Sequence, residues 1–128
     1  MRNFRELKIW QKAFQIATNS FQITSSFPKH EKFGFARQIN RAGISIPSNI
    51  AEGCSRSSNK DCIRFVEIAI GSSFKLETQL LIAKELNFGN QELILFTLKL
   101  LTEEEKMLTA FKLSLKHQLN NESLKPKT

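Results

Sequence analysis

Residues 37–53 read RQINRAGISIPSNIAEG, from Arg37 to Gly53. Ile39, Ala42, Gly43, Ile46 and Ile50 recur at spacings of three and four, the period of a helix with one buried face, and Phe35 extends that line backward. Gln38, Arg41, Ser45, Ser48, Asn49 and Glu52 draw a polar line beside it. Pro47 sits inside the run. A proline loses the backbone bond to the carbonyl four residues earlier, here Gly43, and crowds it, at about 3 kcal/mol in a helix interior. The pattern predicts a helix over residues 35–54, kinked near residues 43–47, with Ser45 or Ser48 helping to satisfy the freed backbone. A break into two short helices is the competing reading.

Upstream, residues 4–27 carry two helical stripes. Leu7, Trp10, Phe14, Ala17, Phe21 and Thr24 form one, and Ile9, Ala13, Ile16, Ser20 and Ile23 run beside it; Arg5, Lys8, Lys12, Gln15, Asn19 and Gln22 fill the third side. A helix apolar over about two thirds of its circumference must bury more than one flank. One flank can face the core and the other a partner subunit; a helix wedged between two neighbours of its own chain explains the pattern equally. Phe27-Pro28 ends it, because the residue before a proline is pushed out of the α region.

Downstream, Gly53 and the polar residues 55–59 stop the second helix, with Ser58 or Asn59 capping a third that runs to about Leu86. Its stripe is Cys62, Val66, Ala69, Ser73, Leu76, Leu80 and Ala83, and Gly71, Ser72 and Ser73 leave room for a close helix approach. After a turn at residues 87–90, a fourth helix runs from Gln91 to about Leu119 on Ile94, Leu98, Leu101 and Leu108, with Leu93, Leu100, Met107 and Phe111 beside them. Four long helices on short connections predict an all-α, up-and-down antiparallel four-helix bundle. Residues 1–119 form its single domain, and residues 120–128 read as a disordered basic tail.

A chain of 128 residues is long enough to bury one core without disulfides or metal. Cys54 and Cys62 have no CxxC spacing and read as reduced structural thiols. No apolar run approaches the roughly 18 residues of a membrane helix, and the N-terminus has no signal-peptide core, which places the chain in the cytoplasm with no membrane partner. The net charge of +7 is uneven. Residues 1–51 carry eight Lys or Arg against two Glu, residues 52–111 carry seven against nine acids, and residues 112–128 carry four against one.

That charge suits a polyanion. Arg5, Lys8 and Lys12 lie on one helical line, Arg37 and Arg41 on a second, and Arg56, Lys60 and Arg64 on a third. A solvated face is the commoner meaning of any one line; three of them point to phosphate-backbone binding, with Arg5, Lys8, Lys12, Arg37, Arg56 and Lys60 as the candidate nucleic-acid contacts. No aromatic motif for stacking single-stranded bases is visible. Arg41, Ser45, Asn49, Glu52, Arg64 and Glu77 form a candidate structural polar network that sets helix register. Glu77 shares a line with Ile63, Ile70, Phe74 and Leu81, so its carboxylate requires a cation or several donors, which Arg41, Arg64 or Asn49 could supply. An acid–base pair drawn from the same residues is the functional alternative. Neither His30 nor His117 makes the Glu-x-x-His pair of di-iron bundles, and no glycine belongs to a phosphate loop, so no metal, cofactor or catalytic residue is assigned.

The segments FRELKIWQKA (residues 4–13), FPKHEKFGFARQINRAGISIPSNIAEG (27–53) and RFVEIAIGSSFKLETQLLIA (64–83) closely resemble the four-helix bundle proteins named for open reading frames within intervening sequences of bacterial 23S ribosomal RNA genes. The resemblance spans about residues 4–115, and SIPSNIAEG is its most specific phrase. It implies a small bundle assembled as a ring-like homopentamer, without an established enzymatic activity. The chain is also similar to the accessory variability determinant of diversity-generating retroelements, whose basic pentamer binds nucleic acid and a reverse transcriptase. Phe74 and Lys75 stand where many relatives have a tyrosine followed by an acid, and Cys62 where an aromatic is common. The resulting reading is a non-enzymatic oligomeric scaffold that binds RNA or another nucleic acid through basic surfaces. The alternative is a structural or protein-interaction module with no nucleic-acid contact.

Overall fold

The computed structural model describes residues 2–124. A short 3-10 turn, Phe4–Glu6, is followed by α1 (Lys8–Thr24), a second 3-10 turn (Lys29–Glu31), α2 (Phe35–Cys54), α3 (Asn59–Glu85) and α4 (Gln91–Leu124). Each helix packs on its two neighbours in a square, α1 on α2 and α4, α3 on α2 and α4, and the diagonal pairs do not approach. Bonds between helices pair rising with falling residue numbers: Asn19 with Thr97 and Lys12 with Glu103 across α1 and α4, and Lys112 with Glu67 and Asn59 with Gln118 across α3 and α4. The molecule is an up-and-down antiparallel four-helix bundle.

The core is built from the stripes legible in the chain. Ile9, Ala13, Ile16 and Ile23 of α1, Ile39, Ile46 and Ile50 of α2, Cys62, Val66, Ala69, Leu76, Leu80 and Ala83 of α3, and Ile94, Leu101, Leu108 and Leu115 of α4 are buried together. At the end opposite the N-terminus, the Phe27 ring packs 5.7 Å from Phe35 and 5.5 Å from Phe88. There Gly89 takes φ +83°, with a would-be Cβ 2.9 Å from the Ile23 carbonyl oxygen, so only a glycine lets α3 turn into α4 this close to α1. The Ser58 side chain accepts from the Asp61 amide and caps α3.

Several local expectations change. α2 runs unbroken through Pro47, so the two-helix reading is excluded. Pro47 is itself buried beside Ile46 and Ile50, and packing of that face outweighs one lost backbone bond. The Ser45 hydroxyl turns across to Ser72 of α3, not back to its own backbone. The first helix starts at Lys8, after the separate turn at Phe4–Glu6. α4 continues to Leu124 past the helix end expected at Leu119, so residues 120–124 are helical where a disordered tail was expected; residues 125–128 lie outside the described residues.

Of the three small residues expected to admit a close helix approach, Ser73 is buried and Ser72 bonds across to Ser45 of α2, but Gly71 takes no part. Gly71 is exposed, with nothing within 4 Å of a would-be Cβ. At Gly43 the same atom would stand 2.9 Å from Ser20 Oγ, 3.1 Å from Ser20 Cβ and 3.5 Å from Ala17 Cα. Ser20 cannot swing away, because its Cβ is fixed by the helix and its hydroxyl donates to the Ile16 carbonyl at 2.9 Å. Replacing Gly43 with alanine should push α1 off α2 and cost about 1–3 kcal/mol in thermal unfolding followed by circular dichroism. Gly71→Ala should instead stabilise by about 0.5–1 kcal/mol, since a helix-interior glycine is replaced without a clash.

Candidate functional site

α1 turns its Ile9–Ile23 stripe into the core and leaves the other stripe open. Phe14 is 51% exposed and Phe21 47%. Together with Phe4, Trp10, Ala17, Ile44, Pro47 and Ala51 they line an apolar groove of about 420 Å³ between α1 and α2. Phe4, Trp10 and Phe14 stack in series, each ring centroid 5.2 Å from the next. The second flank of α1 is thus not wedged inside its own chain. Single exposed apolar residues are ordinary, but here the exposed aromatic side chains are contiguous.

A second apolar surface lies on the opposite side. Phe74, Glu77 and Leu81 share one line of α3, while Leu95, Leu98, Glu105 and Leu113 share one line of α4. The Glu77 and Glu105 carboxyls meet across the two helices, which places both lines on one α3/α4 face. Phe74, Leu81, Leu95 and Leu113 are all about half exposed or more.

Those carboxyls correct the expected partner of Glu77. Neither Arg41 nor Arg64 reaches it, and its buried Oε1 has no hydrogen-bond donor. Burial first, and the facing Glu77 second, push the Glu105 carboxyl up to about 8, so at neutral pH Glu105 holds a proton against its neighbour. Glu104 is fully buried, and neither carboxylate oxygen has a partner. Burial pushes it up to about 8 against the weak opposing pull of Lys12. Sequence reading missed Glu104, although it falls three residues after Leu101 and four before Leu108 on a core line. Among the described residues, no three His, Cys, Asp or Glu converge as a metal would require. The thiols of Cys54 and Cys62 are buried and raised above their ordinary value by that burial, which makes them poor nucleophiles.

The candidate basic residues divide. Arg5 and Lys8 at the start of α1, Arg56 after α2, and Lys60 and Arg64 at the start of α3 are exposed at one end of the bundle. The fold adds Arg2, whose guanidinium lies 5.3 Å from the Phe111 ring, and Lys116, which lines a cleft of about 590 Å³ with Lys60, Arg64, Asp61 and Glu67. Arg56 and Arg64 stand over Phe65 at 4.7 Å and 5.2 Å, and Arg56 also reaches Glu52 at 3.6 Å. Lys12 is occupied: its ammonium donates to Glu103 at 2.6 Å. Arg37 lies at the opposite end, beside Phe35, and does not join this cluster. Sequence spacing placed Lys12 with Lys8, but only the packing of α4 shows that its charge is neutralised.

The proposed polar network contracts to its centre. The Asn49 amide donates to the Ser45 carbonyl at 2.7 Å and to its hydroxyl at 2.9 Å, and Ser45 Oγ lies 2.7 Å from Ser72 Oγ of α3. Arg41 borders this group, whereas Glu52, Arg64 and Glu77 do not take part. No acid stands with a base in an open pocket among these residues.

The model of the 23S rRNA-intervening sequence protein family matches residues 5–110. A solved structure of a protein of unknown function from the S23 ribosomal protein family of Bacteroides thetaiotaomicron superposes with a TM-score of 0.69 at 23% identity, over 81% of this chain and 97% of that one. No functionally curated protein matches.

The buried acids make stability depend on pH. Folded Glu104 keeps its proton to about pH 8 but loses it near 4.5 when unfolded, so stability falls as pH rises from 4.5 to 8 and levels off above. At about 1.4 kcal/mol per unit the upper bound is roughly 5 kcal/mol. Urea unfolding of Glu104→Gln across this range should show a shallower decline and a more stable protein at pH 8 than wild type.

Proposed function

We propose, from the premise that the chain belongs to the 23S rRNA-intervening sequence protein family, that it is a non-enzymatic scaffold that assembles with copies of itself and holds RNA on its basic end. The observation that carries this reading is the open aromatic groove between α1 and α2, lined by Trp10, Phe14, Phe21, Ile44 and Pro47. A concave groove does not fill a second copy of itself. Its complement is the apolar face of α3 and α4 around Phe74, Leu81, Leu95 and Leu113. Two different faces in contact make a head-to-tail interface, and such an interface closes into a ring when its rotation divides the circle. A ring of five copies is the assembly proposed.

With the bundle axes running along the ring axis, cyclic symmetry turns each copy without inverting it, and the ends bearing Arg2, Arg5, Lys8, Arg56, Lys60 and Lys116 gather on one side of the ring. Phosphates spaced along a folded RNA meet that side through several copies at once, which multiplies weak single contacts. The chemistry is charge and shape rather than base identity. Glu52 on Arg56 and Glu67 on Lys112 temper the charge and leave Lys8 and Lys60 as the principal contacts.

Light scattering of the purified protein should give five times the 14.7 kDa chain mass, and Phe14→Asp with Phe21→Asp should reduce it to one chain. A single-chain mass for the wild type at micromolar concentration would sink the assembly. Filter retention of structured RNA should fall linearly in log affinity against log salt, and Lys8→Glu with Lys60→Glu should abolish it while leaving the assembled mass unchanged. If the wild type retains no RNA even at low salt, the chain is a structural or protein-interaction module instead.

A further inference from the structure

The cleft between α2 and α3, on neither the groove nor the basic end, has an unusual composition. It encloses about 330 Å³ and is lined by Gln38, Arg41, Ala42, Ser45, Ser72 and Lys75. No carboxylate lines it, and neither Arg41 nor Lys75 enters an ion pair, although four ion pairs form elsewhere among the described residues. The nearest acid along α3, Glu77, is turned to Glu105 of α4. Two cations from different helices therefore face one opening with no anion between them, and their mutual repulsion is relieved only by water and salt.

The hydroxyls at the floor are poised as donors. Asn49 donates to Ser45 Oγ, and one hydrogen bond joins Ser45 Oγ to Ser72 Oγ. Two hydroxyl protons are available, and this arrangement uses one. The other is left over whichever serine donates across the pair, and neither hydroxyl donates to a backbone carbonyl as Ser20 and Ser73 do. Gln38 adds an amide that can donate as well.

We propose that this cleft is an oxyanion site that holds one phosphate group, with Arg41 and Lys75 supplying the charge, and the Ser45–Ser72 pair and Gln38 supplying neutral donors. Charge-assisted bonds from a guanidinium and an ammonium are the strong ones, and the planar Arg41 fork pairs two oxygens at once. The group is either a phosphodiester of an RNA backbone or a free phosphate or phosphate monoester; the donors are common to both. Neither source depends on the contacts of Lys8 and Lys60.

The test follows backbone amide signals of uniformly 15N-labelled protein by NMR while inorganic phosphate replaces chloride at constant ionic strength. Saturable shifts at Arg41, Ser45 and Ser72 are expected. Arg41→Gln with Lys75→Gln should remove them, and Ser72→Ala should weaken binding about tenfold. Both charged residues are exposed, so the double variant should unfold at the wild-type temperature. A second arm titrates an oligoribonucleotide without terminal phosphates: shifts of the same amides at lower concentration assign the site to the RNA backbone. Their absence, with phosphate still bound, assigns it to a free phosphate or monoester. The proposal is overturned if neither probe gives saturable shifts in the cleft, or if the double variant binds as well as wild type. Loss of RNA retention in the Lys8 and Lys60 variants bears only on the basic end.

Discussion

Gly43 sets how near α1 comes to α2, and most surface features follow from that distance. With the glycine backbone packed on Ser20 and Ala17, the two helices meet so closely that the small residues are consumed in the contact. The large ones, Phe14 and Phe21, are left standing at the margins. The groove is the consequence of a crossing made by small side chains on a helix that also carries aromatic ones. Pro47 belongs to the same arrangement. Its missing backbone bond weakens the helix locally, yet its ring is buried at the groove wall, and α2 continues unbroken through it.

Polar groups are distributed by the same packing logic. Short side chains inside the bundle return their hydrogen bonds to their own helix: Ser20 to Ile16, Ser73 to Ala69, Thr97 to Leu93. Such bonds satisfy a buried hydroxyl without tying two helices together. Asn19 with Thr97, Thr24 with Asn40 and Ser45 with Ser72 do cross between helices, and the last of these opens onto solvent beside two unpaired cations. Buried acids are handled differently. Burial favours the protonated forms of Glu104 and Glu105, so the bundle loses stability as these two ionise.

Helical period was legible because every core line survives as a line: the α3 stripe from Cys62 to Ala83 is buried at each of its seven positions. The reading failed where a residue's meaning depends on what lies across from it. Lys12 and Lys8 are equivalent in spacing and in chemistry, yet α4 places Glu103 against one and not the other. Gly71 has the neighbours of a packing glycine but faces outward, whereas Gly43, flanked by Ala42 and Ile44, is the true contact. Glu104 was overlooked because a carboxylate is ordinarily a surface residue, and three consecutive glutamates read as a solvated run.

By itself the sequence determined the number of helices, their ends to within a few residues, the face each one buries and the family. These depend on local period, capping and proline stereochemistry, which act over a few residues. Tertiary structure alone decided which apolar stripe of α1 stays open, which cations remain unpaired, and which serines share a bond across helices. Those properties belong to pairs of residues as far as 91 positions apart, as with Lys12 and Glu103, and no periodicity within one helix encodes its neighbour's register. The RQINRAGISIPSNIAEG stretch shows both sides: its helix is written in its own spacing, but the roles of Gly43 and Ser45 come from α1 and α3.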